Sequence, residues 1–244
     1  MGAVVGATLV LLIGLICFFS STRLSKSLSE SSYDWSFGLS SYLQPDVHDA
    51  PVVIVYLDED TFKYLDAPLS SPLDRKYHAQ ILDRLKADGA MAVIFDIVFS
   101  DEGAKPKSDA DFEAAIRRNG KVILAADYTT SGTSVDEGVN PVSYSKTMPF
   151  ERFRLAAAGV GMASLDVEPD SDFIVRRHYP GLLSEDLPSL SWAAARFLQL
   201  PATRDPDALK KDRWVHYYGP PGIIPHISYS RVLDDRGIKR GFFH

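Results

Sequence analysis

Cysteine is almost missing. The one cysteine, Cys17, lies inside an apolar N-terminal stretch, so the rest of the chain has neither disulfides nor thiolate metal sites of its own. This leaves the compartment open, because a domain of this size needs no disulfide. A basic stripe is also lacking. Lys and Arg number 26 against 32 Asp and Glu, a formal net charge of −6 with no clustered cations, which argues against a nucleic-acid-binding surface. There is no internal repeat and no low-complexity segment. Between Met1 and Thr22 there is no charged side chain at all.

That last absence reads as a membrane helix over residues 1–22. Val4 to Phe19 is apolar except for Gly6, Thr8 and Gly14, about the length that spans a hydrocarbon core. The start carries no basic residue and no small-x-small cleavage site follows Phe19, which disfavours a cleaved signal peptide. Gly2 and Gly6 form a small-xxx-small pair that could pack two such helices. Arg23 and Lys26, taken alone, would place the flank after the span in the cytoplasm.

Residues 23–46 read as a juxtamembrane helix and linker. Leu24, Leu28, Ser31, Trp35, Leu39 and Tyr42 fall at steps of four and three, a helical seam, and Gln44-Pro45-Asp46 ends it. A seam this short, interrupted by Ser31, fits a helix packed on its own domain better than a coiled coil.

Residues 47–244 hold the globular part; with 45% hydrophobic and 24% charged residues the chain can bury a real core. Val52 to Leu57 and Met91 to Phe99 are β-branched, apolar runs that look buried on both faces, joined by a helix on which Tyr77, Ile81, Leu82 and Leu85 recur before Asp88-Gly89 stops it. A crossover of this length predicts two parallel strands. A further helix over Asp109 to Arg118, stopped by Asn119-Gly120, leads to a third strand over Lys121 to Ala126. Thr129 to Val142 reads as a surface loop. Gly159 to Asp166 and Phe173 to Tyr179 read as an antiparallel hairpin around the acidic turn Glu168 to Asp172. Leu190 to Leu200 reads as a helix, Trp214 to Tyr218 as a short strand, and Ile227 to Leu233 as a short helix. The expected class is α/β: a mixed, mainly parallel sheet flanked by helices, with an antiparallel hairpin edge and one N-terminal transmembrane helix. No apolar strand or second span precedes His244, so the domain reads as truncated at its C-terminus.

Several stretches together resemble the CHASE2 family, the extracytoplasmic sensory domains of bacterial transmembrane receptors. They are Tyr33 to Phe37, Val52 to Asp60, Tyr77-His78-Ala79 with Leu82 to Leu85, Gly89 to Ser100, Gly159-Val160-Gly161, and Pro169 to Asp172 with Val175-Arg176-Arg177. Pro188-Ser189-Leu190 and Tyr218 to Leu233, with Gly219-Pro220-Pro221-Gly222, complete the series. The resemblance implies a sensor outside the cytoplasmic membrane, followed in the family by further spans and a cytoplasmic nucleotide cyclase, histidine kinase, Ser/Thr kinase or diguanylate cyclase. None of these modules is in this chain, so the chain itself is expected not to be an enzyme. The segment Pro68 to Arg75 departs from the Trp-Pro-rich stretch typical of the family.

The chemistry-bearing residues gather at the carboxyl ends of the predicted parallel strands, where ligands of such sheets bind. Asp58, Asp60, Arg75, His78 and Asp96 are the candidate ligand-binding residues. Asp58 and Asp60 could hold magnesium for phosphoryl transfer, giving a membrane-tethered phosphohydrolase as the alternative reading, but Asp58 or Asp60 could equally cap the helix begun at Thr61-Phe62. Asp96, within an apolar run, calls for a partner, and Arg75 or His78 is placed to supply one. Arg176 and Arg177 read as partners of the acidic turn. His216 and His226 lack a third ligand at metal spacing, and Ser228 sits in no nucleophile elbow. No cofactor and no metal is expected. The expected partners are the lipid bilayer, a small ligand or an extracytoplasmic protein, and a second copy of the chain.

Overall fold

The computed structural model describes residues 31–36, 51–131, 143–164, 174–211 and 213–234. The chain divides into two compact units, Met1–Val52 with His216–Pro225, and Val53–Val215 with His226–His244. In the first, residues 31–36 are helical, as the seam predicts, and Ser36 donates its hydroxyl to the Tyr33 carbonyl at 2.8 Å. The rest of that seam and the predicted span at 1–22 lie outside the described residues. Among the described residues no helix is long and apolar enough to cross a membrane.

The second unit carries the α/β core. Strand β1 (Ile54–Tyr56) leads through Asp58 into helix α1 (Glu59–Tyr64), and helix α2 (Arg75–Ala87) runs to β2 (Val93–Phe95). Helix α3 (Pro106–Asn119) starts with proline at its first position, where the missing N–H is harmless, and ends on Gly120 at φ 72°, a left-handed cap that suits glycine. It feeds β3 (Val122–Ser131), followed by β4 (Ser143–Thr147), α4 (Glu151–Ala156) and β5 (Gly159–Met162). The two-residue strands β6 (Gly181–Leu182) and β7 (Leu187–Pro188) precede α5 (Leu190–Phe197), and β8 (His226–Ser228) runs directly into α6 (Tyr229–Leu233).

β3 is the centre of the main sheet. It pairs in parallel with β2 on one side (Val93 with Val122, Phe95 with Leu124) and with β5 on the other (Ile123 with Gly159, Ala125 with Gly161), while its far half pairs antiparallel with β4. One face presents Val93, Phe95, Val122 and Leu124 to Ile81, Leu82, Leu85, Phe112, Ile116 and Phe153, side chains of α2, α3 and α4. Period-two alternation puts Ile123, Ala125 and Gly161 on the other face, against α5. A Cβ on Gly161 would lie 2.6 Å from the Leu190 Cα, so glycine is what lets the start of α5 sit directly on β5.

Five expectations are corrected here. β1 and β2 were expected as neighbours of one crossover unit; instead β1 pairs in parallel with β8, and β2 with β3. The predicted loop over Thr129 to Val142 begins as strand, because β3 runs on to Ser131 and returns as β4; residues 132–142 lie outside the described residues. The antiparallel edge is thus β3–β4, not the hairpin expected from Gly159 to Tyr179: β5 is parallel to β3, and Arg177 forms only a bridge with Trp214. The predicted strand over Trp214 to Tyr218 shrinks to that bridge, since Gly219-Pro220-Pro221-Gly222 follows too soon for a ladder to extend. The predicted helix over Ile227 to Leu233 starts as strand β8 and turns helical at Tyr229, after Ser228, whose side chain caps α6. The acidic turn 168–172 lies outside the described residues.

Candidate functional site at the strand ends

β1 and β8 lie side by side in register, Tyr56 opposite Ser228, and each ends in the N-cap of a short helix. The two caps bond to each other. Asp58 Oδ1 accepts from the Thr61 N–H at 3.0 Å, the Thr61 hydroxyl at 2.7 Å and the Ser228 hydroxyl at 2.9 Å. A carboxylate is acceptor only, so these bonds use the single hydroxyl protons of Thr61 and Ser228. Ser228 Oγ therefore accepts from the Ser230 hydroxyl at 2.7 Å, and Thr61 Oγ1 accepts from the Ser230 N–H at 3.1 Å. Burial pushes the Asp58 carboxyl up, but the bonds from Thr61 and Ser228 outweigh it and hold it below the usual range. The arrangement is an ionised cap shared by two helix starts.

Arg75 opens α2 just behind the cap Asp74, whose Oδ1 accepts from the Lys76 N–H at 3.1 Å. Burial pushes Asp74 up, and hydrogen bonds from Lys105, Ser108 and Lys76 override this and bring it to about 2. The partner of Arg75 is Asp109 on α3, at 2.7 Å, with side-chain exposures of 12% and 2%. Arg75 also donates to the Asp101 carbonyl and lies 4.9 Å from the Phe153 ring centre, while Asp109 takes the Gly103 N–H at 2.8 Å. Asp96, the partner expected from the sequence, is exposed just past β2. The reason lies in the sheet: Ile94 and Asp96 alternate onto a face where α5 covers Ile123 (0% exposed) but leaves Ile94 at 42%. Asp96 needs no counter-charge there.

His78, one turn after Arg75, is buried at 3% exposure. Its Nδ1 bonds the Tyr229 hydroxyl at 2.6 Å, and the rings of Phe95, Phe99 and Phe112 surround it with centres 5.9, 5.1 and 5.7 Å away. Burial, with a smaller push from the Arg75 cation, lowers its pKa to about 4, and burial alone raises the Tyr229 phenol. The pair is neutral at pH 7.

The five sequence candidates thus separate. Asp58 is a half-buried cap, Asp60 an exposed residue in the first turn of α1 and Asp96 an exposed residue past β2, while Arg75 and His78 sit in the packed layer behind them. Sequence reading missed Asp109, Tyr229 and Ser230, whose partners lie 34, 151 and 169 residues away. It also missed Asp127 on β3, just past the carboxyl ends of β2 and β5, which accepts from the Tyr128 N–H at 2.8 Å and from the Ser164 hydroxyl. Among the described residues no group of three or more His, Cys, Asp or Glu is gathered as a metal site. His226 stacks edge-on against Tyr56 at 5.6 Å, and Arg177 lies over Trp214 at 4.4 Å.

A family model, the CHASE2 domain, matches residues 7–244. The chain belongs to the CHASE2 domain family. CHASE2 domains are sensory, and the stretches that resemble the family occupy the framework just described. Val52 to Asp60 spans β1 and its cap, Tyr77-His78-Ala79 sets the buried imidazole on α2, Gly159-Val160-Gly161 is most of β5, and Tyr218 to Leu233 contains β8 and α6. No curated protein and no solved structure matches the chain.

Proposed function

We propose that this CHASE2 chain is the sensing part of a membrane-bound receptor, placed outside the cytoplasmic membrane and anchored through residues 1–22. The observation that carries the reading is the family match over residues 7–244. A small ligand or an extracytoplasmic protein binds at the strand ends, touching Asp58, Asp60 and Asp96, while Arg75 and His78 fix the loops behind them. Binding that differs between two arrangements of the domain is relayed along residues 23–46 to a cytoplasmic cyclase or kinase carried elsewhere in the receptor. Pairing of two copies through Gly2, Gly6 and the Leu24 to Tyr42 seam belongs to the same reading; sedimentation of the detergent-solubilised chain, with and without the span, tests it. A magnesium-dependent phosphohydrolase is not proposed, because Asp58 already serves as a cap and no metal-holding cluster stands among the described residues.

The test is the receptor's own output. Asp60→Ala and Asp96→Ala alter exposed side chains, so they should change the response to stimulus while leaving the melting temperature in place. Unchanged output in both would remove the strand ends as the sensing site.

A further inference from the structure

β8 and α6 are held by the ladder with β1, the Ser230 N–H bond to Thr61 and the buried Ile227, Tyr229 and Val232, and two side chains adjacent in sequence add long-range polar bonds. Ser228 donates to Asp58 at 2.9 Å, and Tyr229 bonds His78 at 2.6 Å. Both side chains reach polar partners that precede them by about 150 residues or more, and the strand between them and the preceding loop is three residues long. Two neighbouring residues of the segment thus reach a half-exposed carboxylate on one side and a buried imidazole on the other.

Burial, and after it the Arg75 charge, oppose a cation at His78. On α2 itself stand Asp74 and Arg75: the Arg75 guanidinium opposes a second positive charge, and Asp74, engaged by Lys105 and the Lys76 amide, favours it by less than burial and Arg75 oppose it. From α3 come Phe112 and, paired with Arg75, Asp109. β2 and the segment after it contribute the phenyl rings Phe95 and Phe99, and α6 contributes the Tyr229 phenol.

We propose that β8 and α6 form a proton-released latch: a proton taken up by the His78 imidazole creates a cation that this cage cannot hold, and residues 226–234 leave α2 and β1 so that water reaches the ring. Release removes Ser228 from Asp58 at the same time, because the two latch residues are neighbours. The proton and the strand-end carboxylate are thereby coupled through one short segment. The latch answers to the proton alone and stands whether or not a ligand binds at the strand ends.

The closed state holds the imidazole at about 4 against an ordinary 6.5. A ring that regains its ordinary value on opening shifts the open-to-closed ratio by about twentyfold between pH 7 and pH 5. Amide hydrogen exchange on the full detergent-solubilised chain, corrected for the intrinsic pH dependence of exchange, reads this shift. In the wild type, peptides covering 226–234 should lose protection by about that factor while α3 and β3 keep theirs. In His78→Gln, which cannot take up the proton, protection of 226–234 should not change between the two pH values. A wild-type change below about twofold, or an equal loss in His78→Gln, overturns the latch. Should His78→Gln lose protection in α3 and β3 at pH 7, histidine-labelled wild type decides. The His78 titration must then coincide with the opening of 226–234, and titration without opening overturns the proposal.

Discussion

Ser228 and Asp58 stand 170 residues apart in sequence and 2.9 Å apart in space, each capping its own helix and bonded to the other. Removing the shared hydroxyl takes away a cap of α6 and a donor to a carboxylate at once. Ser228→Ala should therefore lower stability by about 1–2 kcal/mol. Denaturant unfolding measures the change in midpoint, and a Ser228→Thr variant, which keeps the hydroxyl, should recover most of it.

The buried pair behind it sets a pH dependence. His78 has a folded-state value below its unfolded one, so the unfolded chain binds the extra proton between about 4 and 6.5 and stability falls as the pH is lowered through that window. The contribution is complete above the unfolded value and is lost by about pH 4, a change of about 3 kcal/mol. Urea unfolding from pH 7 to pH 4 should show this slope in the wild type and lose it in His78→Gln.

Arg75 and Asp109 form a largely buried ion pair. Asp109→Ala leaves a guanidinium without its partner against two phenyl rings and should cost about 3–5 kcal/mol, whereas Asp96→Ala should stay within about 0.5 kcal/mol. Thermal unfolding of the two variants side by side separates the observed partner from the one expected from sequence.

Gly161 and Gly159 face the same side of β5 with different room. A methyl on Gly161 meets the Leu190 backbone at 2.6 Å, and one on Gly159 meets Ile123 at an ordinary 3.8 Å. Gly161→Ala should destabilise by about 1–3 kcal/mol by displacing α5, with a much smaller effect from Gly159→Ala. Denaturant midpoints of the two variants check this.

Local signals carried much of the architecture into view. The spacing of Ile81, Leu82 and Leu85 and the stops at Gly89 and Gly120 placed α2 and α3, and the apolar runs placed β1 and β2 with their acidic ends and β3 without one. Asp58 was also readable as a cap, because a helix cap is a local pattern. Strand pairing is not local. Nothing in His226-Ile227-Ser228, a polar three-residue strand, announces a ladder with β1, and the sequence order β1–β2 pointed to a different neighbour. Asp109 was read only as the start of a helix, and the approach of α2 to α3 makes it the counter-ion of Arg75. Asp96 misled for the complementary reason: an apolar run reads as covered on both faces even where a helix stops short of its outer side. Tyr229 has no local mark, since a buried tyrosine is recognised by the imidazole it meets.

The placement of the sensing domain outside the membrane is the claim on which the functional account turns, and the chain's single cysteine makes it directly measurable. Glu102 is exposed past β2, and Cys17 falls within the proposed span. Cells producing the full chain with Glu102→Cys are treated with a membrane-impermeant maleimide before and after lysis, with the wild-type chain as the background. The account predicts that Glu102→Cys labels in intact cells as fully as after lysis, above that background. Labelling only after lysis would place the domain inside and contradict the receptor reading.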